Sequence, residues 1–365
     1  MLEPDDPDRI EAALQWVKRH KLLERFTQGI AGFRVRLGGL VTGSGFAVGP
    51  EYYRRSERET VLFRTSARGS LKEFYLLDLE LSFPRLANDR MFLDLYAARR
   101  HYPHIDYYGP GHDSDKSGRT GYRFEDVSAG VRTGVTPFEG LRLGVIGRYM
   151  LPNIGPGNDG RFAPTERVYG PATAPGILRQ SDYLIAGGFA HFDRRDNRGG
   201  PRRGGSWLAE YTHWSDRDLR VGSFNRVDLE AQHYIPFFNE RRVIALRART
   251  ALTDPRPGQF VPFYLQPTLG GAEALRGYRA FRFHDRNALV MTAEYRWEVF
   301  SGLDMALFGD AGQVFRKADE IAIGNMRSSY GFGFRFNVRN DVFFRLDTGF
   351  SPEGFQVWFK FDNVF

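Results

Sequence analysis

The sequence predicts an all-β fold, and more narrowly a 16-stranded antiparallel transmembrane β-barrel. Three observations lead to this prediction. Apolar and polar residues alternate with period two from Phe33 onward. The alternating segments number about sixteen, and most have about ten residues, enough to cross a bilayer when a strand is tilted. The connections between the segments alternate between short and long, as they do in transmembrane barrels.

The alternation is clearest in the last segment, where Phe355, Val357 and Phe359 alternate with Gln356 and Lys360. The same pattern recurs in segments 75–81, 227–235, 244–249, 289–297, 303–310, 330–337 and 342–350. A half-solvated sheet of a soluble protein also alternates. The large number and the uniformity of the segments favour a barrel, in which one face meets lipid and the other lines the lumen.

The connections support the same architecture independently of hydropathy. The short connections are 82–90, 136–140, 236–242 and 338–341, and the long ones are 101–121, 150–180 and 253–287. Barrels of this kind have tight turns at the periplasmic side and longer loops outside. If both termini are periplasmic, the number of strands is even, and every long loop then falls on the outer side.

Composition restricts the function classes. The 365 residues carry a net charge of +7 and contain no cysteine, which excludes disulfides and thiolate chemistry. No run of about 18 apolar residues is present. The mean hydropathy of −0.43 fits alternating strands, whose polar faces lower the average. The arginines are spread along the chain, so no nucleic-acid partner is expected.

Residues 1–32 are predicted to form a separate N-terminal unit, a periplasmic or lumenal helix with its link, ahead of a barrel at 33–365. Asp6 is a suitable N-cap and Pro7 a suitable first helical residue, and Gly29 and Gly32 end the pattern. Two interpretations remain open. The helix is either a linker or a segment that docks at the mouth or lumen of the barrel.

Five motifs occur in order along the predicted barrel. They are DRRDNRGGPRRG (193–204), HYIPFF (233–238), LGG (269–271), LRGYRAFRF (275–283) and FGDAGQVF (308–315), and the chain ends on Phe365. Together they resemble the motifs of the BamA/TamA (bacterial surface antigen) superfamily, and LRGY resembles its VRGF/VRGY motif in the sixth outside loop. The resemblance implies an integral protein of the outer membrane of a Gram-negative bacterium, surrounded by outer-membrane lipid.

The resemblance also implies that the sixth outside loop folds back into the lumen. Arg276 would then bond to Asp310 and Glu294, both of which fall on the lumen-facing register of their strands. Gly277 would let the backbone approach the wall closely, and Tyr278 would pack beside it. The alternative is a solvated basic loop.

The family route for transport would open between the first strand (33–41) and the last (355–365). Gly38 and Gly39 would loosen this seam, since glycine packs little, and Phe365 would lie at its end. Most relatives carry POTRA domains, whereas about 32 residues precede the first strand here. We therefore expect a short member without POTRA domains or a trimmed chain, and the expected absence of POTRA domains weakens a client-handling role.

Three functions compete. The first is translocation or insertion of unfolded polypeptide, or of lipid, through the barrel or the seam. The second is a plugged structural barrel that transports nothing and could form a homodimer. The third is a passive solute pore. Mixed signs among the lumen-facing charges favour a lattice of ion pairs over a selectivity surface.

No enzyme is predicted. His101, His104 and His112 share one outside loop with Asp113 and Asp115, but their spacing matches no standard metal site. Segment 43–45 (GSG) joins two strands, so it lacks the strand–turn–helix context of a nucleophile elbow. Neither a phosphate-binding loop nor a dinucleotide fingerprint is present, and no cofactor or metal is expected.

Overall fold

The computed structural model describes residues 30–338 and 341–361. The predicted N-terminal helix, with Asp6 and Pro7, and the terminal Phe365 lie outside the described residues.

Sixteen long strands form one sheet. The first nine strands are β1 (Phe33–Leu37), β2 (Ala47–Arg55), β3 (Leu62–Ser70), β4 (Tyr75–Leu86), β5 (Met91–Tyr107), β6 (Thr120–Phe138), β7 (Leu141–Pro156), β8 (Tyr183–Asp193) and β9 (Gly204–Asp216). The other seven are β10 (Phe224–Phe237), β11 (Arg242–Pro255), β14 (Asn287–Phe300), β15 (Leu303–Phe315), β16 (Arg327–Val338), β17 (Asp341–Ser351) and β18 (Gly354–Phe361). Two short strands, β12 (Thr268–Leu269) and β13 (Phe283–His284), pair with each other between β11 and β14.

Each long strand pairs antiparallel with its neighbours in the order β1 to β11 and then β14 to β18. The prediction of a 16-stranded antiparallel barrel is therefore confirmed. Within residues 30–338 and 341–361, no ladder joins β1 to β18. The sheet is thus continuous except at one seam.

Helical structure is sparse in the described part of the chain. It comprises one α-helical turn, Thr165–Val168, and the 3₁₀ turns Lys116–Gly118, Phe263–Leu265, Ala318–Glu320 and Ile323–Asn325. None of the described helices has the length and apolar character needed to cross a bilayer.

The register puts apolar side chains outside and charged ones inside. On β7, Val145 is 59% exposed on the outer surface, whereas Arg148 and Ile146 line a lumenal cavity. Val145 lies four residues after Leu141, the first residue of β7, and four residues before Tyr149. Because successive side chains of a strand point to opposite faces, one residue of register decides between lipid and lumen.

The largest apolar core lies at the outer end of the barrel, where long loops pack on the strand ends. Its centre is Tyr107, whose ring lies 5.1 Å from those of Tyr169 and Phe263 and 4.9 Å from that of His284. These rings come from β5, from the β7–β8 loop and from the β11–β14 loop. The outer loops therefore form one packed cap.

A pair of substitutions on β7 tests the register. Val145→Glu should lower the free energy of unfolding by roughly 1–2 kcal/mol, because it puts a carboxylate among acyl chains. Ile146→Glu should be neutral or stabilising, since position 146 lies opposite Arg132 in the lumen. Urea unfolding of the barrel in bilayers, followed by tryptophan fluorescence, measures both. Equal losses in the two variants would contradict the register.

Candidate functional site

The candidate site is the β11–β14 loop (256–286), which is the sixth outer loop. Its central stretch is buried: Leu275 is 0%, Arg276 2% and Tyr278 2% exposed. A loop carrying so many polar groups is stable in such a place only if its charges and backbone groups find partners.

Arg276 has three carboxylate partners. Its backbone N–H and Nε–H both donate to Asp310 Oδ2 (3.1 Å each), and Nη2 donates to Asp310 Oδ1 (2.8 Å). Nη1 lies 2.5 Å from Glu294 Oε1 and 3.3 Å from Asp347 Oδ2. The guanidinium also lies 3.4 Å from the centre of the Phe308 ring. Sequence reasoning named Asp310 and Glu294 as partners, but not Asp347.

Neighbouring charges extend the cluster across four strands. Arg335 lies 2.5 Å from Asp347 and 3.1 Å from Glu294. Arg345 lies 3.1 Å from Asp347, and Arg296 lies 2.6 Å from Glu294. The cluster therefore joins four guanidinium groups to three carboxylates, Asp310 included, and all seven residues are buried. Such a cluster is stable because each charge has an opposite neighbour at hydrogen-bonding distance.

Hydroxyl groups complete the bonding of Asp310. Thr292 Oγ1 donates to Asp310 Oδ1 and Ser329 Oγ donates to Asp310 Oδ2, both at a distance of 3.0 Å. The carboxylate thus accepts hydrogen bonds from β14, from β16 and from the loop. The two hydroxyl groups therefore orient the Asp310 carboxylate independently of Arg276.

Gly277 is needed for close approach of the loop to the wall. A Cβ at this position would lie 2.4 Å from the Phe350 carbonyl oxygen and 2.8 Å from Ser329 Cβ. The opposing residue is also a glycine, since a Cβ at Gly349 would lie 2.5 Å from the Arg276 carbonyl carbon. Two backbones touch here, which any larger residue would prevent. Sequence reasoning identified Gly277 and missed Gly349.

Tyr278 packs inside the loop itself. Its ring lies 5.3 Å from that of Phe283, edge to face, within a cluster that also includes Leu269 and Leu275. The structure places it beside Arg276, as the resemblance implies, but turned toward the apolar residues of the loop.

The loop also contacts the last strand, which the sequence did not predict. Trp358 Nε1–H donates to the Arg276 carbonyl oxygen (2.7 Å), and Lys360 Nζ lies 2.7 Å from Glu273. Both Trp358 and Lys360 belong to β18. The sixth loop is therefore bonded to the strand that forms one side of the seam.

Arg282 and Arg279 differ in their surroundings. Arg282 lies 2.8 Å from Glu353 in the β17–β18 turn, and it donates to Ser114 of the β5–β6 loop. No hydrogen bond or ion pair of the Arg279 side chain exists among the described residues. Arg282 thus connects the outer part of the loop to the cap, whereas Arg279 contributes no such connection.

The seam glycines require a correction. The first strand was predicted over 33–41, but β1 ends at Leu37. Gly38 and Gly39 have φ values of 67° and 75°, a left-handed conformation that ends a strand and favours glycine. They turn the chain at the seam and do not loosen a strand within it. Gly38 still faces the last strand, because a Cβ there would lie 3.1 Å from Phe361 Cβ.

Most other lumenal charges are paired, which agrees with a lattice of ion pairs. Examples are Arg64 with Glu80 (2.5 Å) and Arg247 with Glu230 (3.0 Å), and Arg132 with Glu210. The first two pairs connect neighbouring strands, and the third connects β6 to β9 across the lumen side of the sheet. They leave little uncompensated charge on this part of the wall.

The three histidines near the β5–β6 loop have separate partners. His101 Nδ1 lies 2.6 Å from Glu125, His104 Nε2 lies 2.9 Å from Asp106, and His112 Nε2 lies 2.6 Å from the Asn325 carbonyl oxygen. No group of three metal-ligating side chains occurs in the part of the chain that the structure describes.

His284 is a fully buried titratable group of the cap. Burial among aromatic rings lowers its pKa to about 3, although nearby Asp106 acts in the opposite direction. The His284 imidazole is therefore neutral in the folded state. Its contribution to stability is complete above the unfolded pKa of about 6.5 and decreases as the pH falls toward 3.

Replacing Arg276 tests the charge cluster. Arg276→Ala should lower the free energy of unfolding by about 3–5 kcal/mol, because three buried carboxylates lose a shared cation. Arg279→Ala is the matched control in the same loop and should change it by less than about 0.5 kcal/mol. Heat-modified mobility of the barrel in gels, measured over temperature, reports both. Similar midpoints for the two variants would argue against the cluster.

A pH series tests His284. Lowering the pH from 7 to 5 should destabilise the cap by about 2 kcal/mol, since a neutral buried imidazole must be protonated on unfolding. Protease cleavage within residues 256–286 measures the opening of the cap. His284→Phe should lose most of this pH dependence while keeping the aromatic contacts. An unchanged pH dependence in His284→Phe would assign the effect to other groups.

Comparison with known proteins supports the architecture. Residues 178–339 match the Omp85 superfamily domain. No curated protein matches the chain. The fold is similar to BamA from Haemophilus ducreyi lacking POTRA domains 1-3, with a TM-score of 0.64, 15% identity and coverage of 89% of this chain and 69% of that one.

Two further structures have the same fold. CdiB from Escherichia coli matches with a TM-score of 0.58 and 11% identity, over 91% of this chain and 62% of that one. CdiB from Acinetobacter baumannii matches with a TM-score of 0.51 and 12% identity, over 90% of this chain and 58% of that one. This chain therefore spans less than two thirds of either CdiB chain. Residues 178–339, which are less than half of the chain, are thus similar to the Omp85 superfamily domain, and the chain as a whole shares the β-barrel fold of these BamA and CdiB structures.

Proposed function

We propose that this barrel inserts or translocates unfolded polypeptide at the outer membrane, and that the polypeptide engages the seam between β1 and β18. The observation that carries the proposal is the seam itself. Among the described residues, β1 pairs only with β2, and β18 pairs only with β17.

The seam is weak in comparison with the other strand pairs. β1 has five residues and β18 has eight, whereas β10 and β11 align over 14 residue pairs. An unpaired edge presents free N–H and C=O groups, which are costly to leave unsatisfied within a bilayer. A strand of an incoming polypeptide would satisfy these groups by adding to the edge.

The family resemblance supports the same substrate class. The BamA/TamA superfamily includes assembly and two-partner secretion barrels, which act on polypeptide. We extend this role to the present chain, with residues 33–365 as the barrel and residues 1–32 as a periplasmic or lumenal unit. In this proposal outer-membrane lipid surrounds the barrel and is not the transported molecule.

A plugged structural barrel is the second candidate. It is favoured by the sixth loop, which is bonded to the lumenal wall through Arg276 and to β18 through Trp358 and Lys360. This anchored loop also argues against a passive solute pore. The two candidates differ in one respect that can be tested: only transport needs the seam to open.

A disulfide across the seam separates them. A Cβ on residue 38 would lie 3.1 Å from Phe361 Cβ, near the roughly 3.8 Å of a disulfide, and the chain has no cysteine of its own. Gly38→Cys combined with Phe361→Cys should insert an unfolded barrel client into proteoliposomes when reduced and lose most of this activity when oxidised. The measurement is the protease-resistant, inserted client.

Each single cysteine variant is the control, and it also isolates the cost of a side chain at the positive φ of residue 38. Restoration of activity by a reductant would show that the disulfide caused the loss of insertion activity. Full activity of the oxidised double variant would contradict seam-dependent transport and favour the structural barrel.

A further inference from the structure

A second polar region lies in the lumen, on the wall formed by β1 to β9 and therefore away from the sixth-loop cluster on β14 to β17. It is a cavity of about 550 Å³. Six arginines and four carboxylates line it. The arginines are Arg36, Arg64, Arg68, Arg100, Arg132 and Arg148.

Five of these arginines already have a carboxylate. The pairs are Arg36–Glu51 (2.5 Å), Arg64–Glu80 (2.5 Å), Arg68–Asp78 (2.9 Å), Arg100–Asp126 (2.8 Å) and Arg132–Glu210. Their guanidinium groups are largely compensated within the chain. These five arginines therefore line the cavity but do not offer a free binding group to a ligand.

Arg148 is different. Its side chain makes no hydrogen bond or ion pair with any described residue, and its Nε is buried without an acceptor. The guanidinium instead lies 5.0 Å from the centre of the Trp214 ring. Trp214 is itself held in place, because its Nε1–H donates to Thr212 Oγ1 (3.1 Å). An aromatic contact orients the guanidinium and leaves its N–H donors without acceptors.

The remaining acid of the cavity without an ion pair among the described residues is Asp94. Asp94 lies opposite Arg132, which in turn lies opposite Ile146 on β7, and it forms no ion pair with Arg148. The donors of Arg148 stay available to an acceptor from outside the chain.

We propose that Arg148 binds the carboxylate of an acidic side chain in a polypeptide that enters the lumen. The inference rests on the proposed transport function and adds a preference for acidic segments. A planar guanidinium with free N–H donors matches a carboxylate in geometry and charge. The cavity is lined mainly by lumen-facing residues, which separates it from the acyl chains outside and favours a peptide side chain over a lipid headgroup.

Binding of two fluorescent peptides to the purified full chain tests this inference. The peptides are extended, about ten residues long, and differ only in one central Glu or Gln. The wild-type protein should bind the Glu peptide about ten-fold more tightly in fluorescence anisotropy, as expected for one hydrogen-bonded charge pair. Arg148→Gln should remove this preference, and Arg148→Lys should keep part of it.

Arg179→Gln is the matched control, because Arg179 is exposed in the β7–β8 loop and does not line the cavity. It should keep the full preference. Heat-modified gel mobility establishes that each variant is folded, and Arg148→Lys keeps the test informative if Arg148→Gln does not fold.

The possible outcomes separate this inference from the proposed function. Equal binding of both peptides to the wild-type protein would overturn the acidic preference and leave polypeptide transport standing. A preference that survives in Arg148→Gln would place the acid elsewhere and also overturn it. Absence of binding of either peptide would count against polypeptide transport as well.

Discussion

The structure depends most on the buried charge cluster around Arg276. Without it, the sixth loop would bring polar backbone and a guanidinium into the lumen at a large desolvation cost. With it, Asp310, Glu294 and Asp347 each accept from at least one arginine at hydrogen-bonding distance. The cluster thereby ties β14, β15, β16 and β17 to one loop. The strands and the loop stabilise each other, because neither set of charges is compensated alone.

A second constraint is the membrane, which requires every backbone donor and acceptor in the hydrocarbon layer to be paired. Ladders join each long strand to the next from β1 to β18, whereas within residues 30–338 and 341–361 no ladder joins β18 to β1. The sixth loop is bonded to β18 by Trp358 and Lys360, so the same loop that fills part of the lumen also holds the edge of the barrel. The strands that the sixth loop stabilises therefore lie next to the unpaired edge of the sheet.

The two lumenal walls differ in chemistry. The wall of β14 to β17 is compensated by the loop and is largely excluded from water. The wall of β1 to β9 encloses a cavity in which most arginines are paired, but Arg148 rests on Trp214. A compensated wall gives rigidity, whereas a cation with free donors gives a place for an external acid. The barrel therefore combines a structural half with a half that is open to a ligand.

The sequence by itself determined most of the strands and their register, and the resemblance to the BamA/TamA superfamily implied the pairing of Arg276 with Asp310 and Glu294. Alternation with period two is a local property, and both acids lie on strands that directly follow the loop. Only the tertiary structure decided the roles of Asp347, Gly349, Trp358 and Glu353, and it moved Gly38 and Gly39 out of the first strand. These residues meet the loop only after the barrel has curved round and the loop has folded inward, and no local pattern records a contact between segments about 70 residues apart.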